Sequence, residues 1–257
     1  MLNLKEKAEQ FRALHVPGRP LVLFNAWDPG SAKAVAAGGA LAIATGSWSV
    51  AAANGYADGE KFPFELAIDN LARIVNSVAL PVTIDLESGY GEHPESVAES
   101  VRRAIRAGAI GGNLEDSFPE SGALRKADDQ ARRLAAARSV AVSVELPFFI
   151  NARTDLFLAS APATHGALVA DAIARAAAYA EAGADGFFVP GLADKELIAR
   201  LVAESPLPIN IMVTDATPPL KDLTDLGVAR VSHGPRPFLQ MMKTLEAAAR
   251  AAMAAGH

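Results

Sequence analysis

The 257-residue chain has no cysteine. That excludes a disulfide framework, a thiolate metal site and a cysteine nucleophile together. Aromatic residues are scarce, at 6%. Basic residues are in slight deficit, 24 Lys and Arg against 29 Asp and Glu, for a net charge of -5. They are dispersed, so nucleic acid has no electrostatic footprint to meet. No apolar run reaches the roughly 18 residues of a membrane span. The opening segment, MLNLKEKAEQFRALH, is charged and amphipathic and lacks the apolar region of a signal peptide. The expectation is a soluble cytoplasmic protein with neither nucleic acid nor membrane as a partner.

What is abundant is alanine, a helix former, set beside clusters of β-branched residues within a chain that is 51% hydrophobic. A chain of this length buries roughly three quarters of its unfolded surface, enough for a core without covalent staples. Short apolar runs fall at 21–25, 41–45, 81–85, 111–115, 148–152, 186–189, 208–212 and 228–231. Each is bounded by Gly, Pro or polar residues, as buried parallel strands are. Helical stretches lie between them, at 31–37, 64–78, 94–107, 127–141, 166–182, 194–203, 219–225 and 237–254. Gly39, Gly108 and Gly183 follow helices at the point where a left-handed residue stops them.

Strand–helix alternation with short links implies a parallel sheet and right-handed crossovers. Eight such units close into a (β/α)8 TIM barrel, for which about 250 residues are typical. A doubly wound open sheet is the alternative, weakened because no G-x-G-x-x-G follows the first strand. No linker or compositional break interrupts the chain, so residues 1–257 read as one domain. Its N-terminal helix (1–16) covers the barrel bottom or packs on its side, and its C-terminal helix lies within 234–257.

Barrel chemistry collects where strands end. Those positions hold Asn25, Asp28, Thr45, Gly46, Ser47, Asp85, Glu87, Asn113, Glu115, Asp116, Asn151, Arg153, Asp155, Thr214, Ser232 and His233. Asp85, Glu87 and Glu115 come from adjacent strands, with Asp58 on a long loop before them. Crowded carboxylates repel unless protonated, hydrogen-bonded or bound to a cation. Oxygen ligands without His or Cys favour Mg2+, with Mn2+ as the alternative, and Mg2+ keeps several waters. The bland alternative is that each acid caps a helix or pairs with an arginine.

Arg153 offers a fork for a substrate carboxylate, or a salt bridge to Asp155 or a neighbouring acid. Small residues at Thr45-Gly46-Ser47 let backbone N–H groups approach an anion. Asp28-Pro29 reads as a helix start. His233 reads as an acid–base group, a ligand for a substrate oxygen or a structural histidine. Asp171 with Arg175, and Arg132 with Arg133, read as solvated helix faces. Trp48 reads as packing or pocket wall.

With these residues on the page, the chain resembles the isocitrate lyase/phosphoenolpyruvate mutase superfamily over nearly its whole length. The segments that carry the resemblance are Asp85-Leu86-Glu87-Ser88-Gly89-Tyr90-Gly91, Asn113-Leu114-Glu115-Asp116 and Asn151-Ala152-Arg153-Thr154-Asp155. The resemblance implies a barrel whose eighth helix is swapped between subunits of a homo-oligomer, dimer or tetramer. It implies Mg2+ held by Asp85, Glu87 and Glu115, with Asp58 linked through water or substrate. The substrate it implies is a small 2-oxo or 2-hydroxy acid or its phosphonate analogue, held at Thr45, Gly46, Ser47, Asn113 and Arg153. Catalysis would rest on Arg153, Asp58 and His233.

Two departures follow. Retro-aldol members carry a Lys-x-Cys-Gly-His lid after strand four, whereas Ser117–Leu124 has none of Lys, Cys or His, nor the Lys and Asn of mutase-type lids. Glu87 stands where Asp is usual. The reading that fits is a lyase decarboxylating an oxaloacetate-like 2-oxo acid, since decarboxylation does not need a thiol to protonate a departing carbanion. P–C bond chemistry on phosphonopyruvate and a catalytically silent 2-oxo acid binder are the alternatives.

Overall fold

The computed structural model describes residues 2–255. Met1 and the last two residues of the expected 234–257 segment lie outside it. The first helix, α1 (Leu4–Ala13), starts at a capping box: Asn3 Oδ1 accepts the Glu6 N–H at 2.9 Å, and Glu6 Oε2 accepts the Asn3 N–H at 2.7 Å. Strands and helices then alternate: β1 (Leu21–Leu23), α2 (Pro29–Ala37), β2 (Ile43–Ala44), α3 (Ser47–Ala53), α4 (Phe64–Ser77), β3 (Val82–Asp85), α5 (Pro94–Arg106), β4 (Gly111–Glu115) and α6 (Ala127–Ser143). They continue as β5 (Phe149–Arg153), α7 (His165–Glu181), β6 (Gly186–Phe188), α8 (Lys195–Glu204), β7 (Ile209–Met212), α9 (Leu220–Asp225), β8 (Arg230–Ser232) and α10 (Arg236–Ala254). Every expected strand and helix is present, with shifts of a few residues at the ends. The left-handed stops are present too, with Gly39, Gly108 and Gly183 at φ 92°, 97° and 93°.

The element that sequence reading misses is α3, within a segment taken for loop. Its Ala51-Ala52-Ala53 run was the available signal. Helix α2 begins at Pro29, two residues earlier than expected, because Asp28 caps it: Asp28 Oδ1 accepts the Ser31 N–H at 2.6 Å.

All strand pairs are parallel, in the order β1-β8-β7-β6-β5-β4-β3-β2. The cylinder closes between β1 and β2 by little more than one bridge, Ala26 to Thr45. There the Ala26 N–H donates to Ala44 O at 2.8 Å and the Gly46 N–H donates to Ala26 O at 3.3 Å. Buried Asn25 stitches the same seam. Its Nδ2 donates to Thr45 O at 3.0 Å, while its Oδ1 accepts the N–H groups of His233 at 3.1 Å and Gly234 at 2.9 Å.

The expected bottom cover is there. Phe11 of α1 is buried edge-on to Phe149, and His15 stacks on Phe149 at 3.9 Å. Arg12 pairs with Asp185 at 2.7 Å.

Helix α10 is anchored only at its start. Phe238 packs edge-on against Trp27 at 5.1 Å and Trp48 at 6.0 Å, so Trp48 is a packing residue. Beyond it, residues 239–254 are exposed, Leu245 by 61%. Beside that anchor a groove of about 850 Å³ runs along the outer face of β1 and α2, lined by Val22, Phe24, Val35, Leu41 and Met241. It lies away from the carboxylates.

Candidate active site at the carboxyl ends of the strands

Asp85 ends β3 at the centre of the mouth. Its backbone N–H donates to Thr45 Oγ1 at 3.0 Å, and its Oδ2 accepts from the Ser47 N–H at 3.2 Å and Ser47 Oγ at 3.0 Å. Its other oxygen, Oδ1, is buried and has no hydrogen-bond partner. Thr45 and Ser47 therefore hold this carboxylate in a fixed pose with one lone-pair face free. Gly46 corrects the expectation of a backbone anion cradle: its N–H is committed to the barrel seam, and that of Ser47 to Asp85.

Glu87 sits two residues on, at φ 51°, a left-handed conformation rare for a side chain of this kind. Three donors hold it there: the N–H groups of Gly59 at 2.9 Å and Glu60 at 2.6 Å on Oε2, and Tyr90 Oη at 3.1 Å on Oε1. Glu87 thus fastens the Asp58–Glu60 loop to the β3 loop. Both of its oxygens accept hydrogen bonds from the protein, an arrangement that suits contact with an ion through water. Arg133, expected on a solvated face, is buried instead and donates to the carbonyls of Ser88, Gly91 and Glu92, pinning the loop that carries Glu87.

Burial pushes the Glu87 carboxyl up to about 7 from its ordinary 4.5, against the pull of the Glu60 N–H, with the Asp58 and Asp85 charges adding to the rise. The folded state therefore keeps a proton that the unfolded chain releases. The associated stability is present below about 4.5 and is lost as pH climbs to about 7. In metal-free protein, Glu87→Gln should flatten the fall of Tm over that interval, since an amide can keep all three contacts once Tyr90 Oη turns to accept. An unchanged Tm-against-pH slope in EDTA would refute this assignment.

Glu115 and Arg153 face each other across β4 and β5. Arg153 Nη1 lies 2.7 Å from Glu115 Oε2, while Nε and Nη2 donate to Asp155 at 2.6 and 3.1 Å. Ser117 Oγ joins the same group, donating to Asp155 Oδ2 at 2.8 Å and Glu115 Oε1 at 3.2 Å. The fork edge of Arg153 is thus filled by Asp155. Of its five N–H bonds, three are engaged and two remain for a substrate. Burial raises Glu115 above the usual carboxylate range and the Arg153 charge opposes it. Burial also pulls on Arg153, but Glu115 and Asp155 hold it above its ordinary value.

Behind this group lies Asp116, fully buried. It accepts from Arg175 Nη1 at 2.9 Å, Tyr179 Oη at 2.8 Å and the Asp155 N–H at 3.1 Å. The pair expected from the spacing to Asp171 forms, Nε to Oδ1 at 3.3 Å, but Arg175 is buried rather than solvated and serves as an internal anchor for Asp116.

Asp58 lies on the rim loop facing Asp85. Desolvation and the Asp85 charge raise its carboxyl, and Arg153 opposes them. Asn113 is enclosed beneath Glu115, its Oδ1 accepting from Asn151 Nδ2 at 2.8 Å. His233 does not join the cluster. Its ring packs at 4.9 Å on Phe24, which lines the outer groove, because the chain turns out at Gly234 (φ 55°) toward α10. Its useful groups are in the backbone, at the Asn25 stitch. The residues that sequence reading undervalued are Ser117 and Tyr90, since a hydroxyl beyond a strand end carries no signal of its own; the salt bridge from Arg153 to Asp155 and a neighbouring acid, one of the two readings of that arginine, is present.

No three acidic or histidine side chains among the described residues converge as a ready metal cage. The fit to a hard cation rests on a narrower feature, the buried and unpartnered Oδ1 of Asp85. Asp85 also lines a cavity of about 20 Å³, walled by the polar Thr45, Ser47, Glu87 and Tyr90 and by the apolar Val50, Phe62, Ala67 and Ile84. That volume admits one water. Mg2+ is commonly bound through one or two carboxylates and keeps its remaining waters, so an open half-site of this kind suits it.

The family model for phosphoenolpyruvate phosphomutase matches residues 11–253. The chain is 38% identical over 242 residues to an uncharacterized protein of Mycobacterium tuberculosis, covering 94% of this chain and 88% of that one. It is 28% identical over 244 residues to the oxaloacetate decarboxylase of Ectopseudomonas mendocina, covering 93% and 81%. A crystal structure from Burkholderia cenocepacia J2315, provisionally named a phosphonomutase, superposes with a TM-score of 0.95 at 56% identity, covering 97% of this chain and 100% of that one. The chain accordingly belongs to the phosphoenolpyruvate phosphomutase family, within the isocitrate lyase/phosphoenolpyruvate mutase superfamily of lyases and mutases.

Proposed function

We propose that the protein is a Mg2+-dependent lyase that cleaves a C–C bond of a small 2-oxo acid, with oxaloacetate-like decarboxylation as its reaction. The observation that carries this reading is Asp85, anchored through one oxygen and bare at the other within a ring of acids. Asp85 would hold the ion directly, with Asp58, Glu87 and Glu115 accepting hydrogen bonds from its waters. When bound, the ion supplies Lewis-acid stabilisation for negative charge developing on the substrate's oxo oxygen.

The chain's own residues do the rest. Arg153, fixed by Glu115 and Asp155, turns its two remaining N–H bonds to a substrate carboxylate. Ser47 and Thr45 keep Asp85 from rotating. The hairpin 117–124, where the Phe118 N–H donates to Ala123 O at 2.8 Å, offers no thiol, amine or imidazole to protonate a departing carbanion. That absence favours carbon dioxide as the departing fragment: it leaves without a proton, the electron pair of the broken C–C bond stays on the pyruvate enolate, and solvent water supplies the proton that turns the enolate into pyruvate.

Purified protein should release pyruvate from oxaloacetate faster with Mg2+ than with EDTA, above the metal-only background. The name of the Burkholderia cenocepacia structure favours a second reading, P–C bond chemistry. Phosphorus NMR of phosphonopyruvate incubated with protein and Mg2+ separates the two, since only the second changes the spectrum. Product from neither compound, with Mg2+-dependent thermal stabilisation by a 2-oxo acid, would leave a silent binder.

We also propose that α10 packs on a second copy of this chain. Its stripe of Leu239, Met242 and Leu245 has no cover within the protomer, and each barrel leaves the groove beside β1 open. Leu245→Glu should shift the sedimenting species to monomer; an unchanged oligomer or a monomeric wild type would rule this out.

A further inference from the structure

Beneath the carboxylates the barrel interior is polar where such barrels are usually filled by branched apolar side chains. Arg230 of β8 is 1% exposed and makes no salt bridge among the described residues. Its Nη2 donates to Asn113 Oδ1 at 3.2 Å, its Nε approaches Ser232 Oγ at 3.4 Å, and its Nη1 has no partner. Burial pushes the guanidinium down to about 9, which leaves it charged at neutral pH.

A lone buried cation is costly, and an apolar side chain would pack there more cheaply. What it does is fix an amide. A guanidinium has donors and no acceptor, so only the oxygen of Asn113 can face it. The Asn151 Nδ2 contact at 2.8 Å falls on the same oxygen. The Asn113 NH2 is thereby forced to the other side, where it has no protein partner among the described residues and is not among the sealed polar atoms. Asn113 is register-paired with Asp85 and lies two residues before Glu115 on the same strand face, so that NH2 borders the floor of the mouth.

We propose that Arg230 is a positioning residue that locks Asn113 so that its amide NH2 donates to a carboxylate or oxo oxygen of the substrate. This deepens the 2-oxo acid reading by naming the donor that recognises the acid, and it rests on that reading for the ligand.

The test uses oxalate, a planar two-carboxylate probe, titrated calorimetrically into the Mg2+-loaded full chain, together with Tm in EDTA. Arg230→Met should raise Tm by removing the unpaired cation, yet weaken oxalate roughly 10-fold, because Asn113 is then held only by Asn151, whose own Oδ1 is unpartnered, and the two amides can flip together. Arg230→Lys, still donor-only, should retain most of the affinity. Asn113→Asp should raise Tm by giving Arg230 a counter-ion, and weaken oxalate roughly 100-fold by replacing the donor with a negative oxygen. Arg230→Met binding oxalate as wild type does, or losing affinity only in step with a falling Tm, would overturn the proposal. If wild type itself ignores oxalate, the 2-oxo acid reading falls instead. The Asn113→Asp melt still decides the lock when it is set against the Asn113→Asp/Arg230→Met double variant, which keeps the repulsion from Asp85 and Glu115: a higher Tm with Arg230 present supports it, and an equal or lower one shows that Oδ1 does not face Arg230.

Discussion

Asp85→Ala is expected to lower Mg2+-stimulated turnover of oxaloacetate by about 10³-fold or more, as loss of the principal electrostatic contributor does elsewhere. The same change should leave the metal-free Tm nearly unaltered. The carboxylate loses two contacts from Ser47. It also removes a buried oxygen with no partner and a charge that raises Asp58, Glu87 and Glu115. Loss of two hydrogen bonds costs about 1–3 kcal/mol, and the buried Arg153 and Arg230 lose a favourable charge; relief of the repulsion on Asp58, Glu87 and Glu115 acts the other way and keeps the net change small. Asp85→Asn tests the same point with less disturbance, since its amide oxygen can still accept from Ser47. Turnover above a tenth of wild type in either variant would mean that the charge of Asp85 is not used.

Asp116→Ala should act the other way, on stability first. It strands Arg175 and Tyr179, both buried, and frees the Asp155 N–H. Removing one member of a buried pair costs about 3–5 kcal/mol. For a chain of this size that corresponds to roughly 10 °C in Tm. Activity should fall with it at temperatures well below the melt, because Asp155 orients Arg153 and is itself held by Asp116. A variant that melts near wild type would show that water replaces the carboxylate; a destabilised variant with full kcat would show that Arg153 does not depend on this chain of contacts.

The barrel was legible because its two periods are written plainly: apolar β-branched runs, alanine-rich stretches, and glycines such as Gly108 and Gly183 at the joints. The rim was legible for the related reason that polar residues end only one side of the strands. Direction was not. Glu87 sits where a ligand is expected, but its left-handed backbone turns its carboxylate to Gly59, Glu60 and Tyr90, which no spacing rule reveals. The direction of His233 was hidden for the same reason, since the turn at Gly234 decides that its ring packs on Phe24. Arg133, Arg175 and Arg230 look alike in sequence, as charges on helices or a strand. Each is buried because a particular set of carbonyls, a carboxylate or an amide awaits it in three dimensions.

The stitch between β1 and β2 has a mechanical consequence. The cylinder is least laced at one joint, which runs through Ala26, Thr45 and the Asn25 amide. Thr45 is also the residue that grips the Asp85 backbone, and Ser47 follows two places later. The seam and the grip on the acid thus share one residue, so a substitution that displaces Thr45 disturbs the closure of the cylinder and the pose of the reactive corner together.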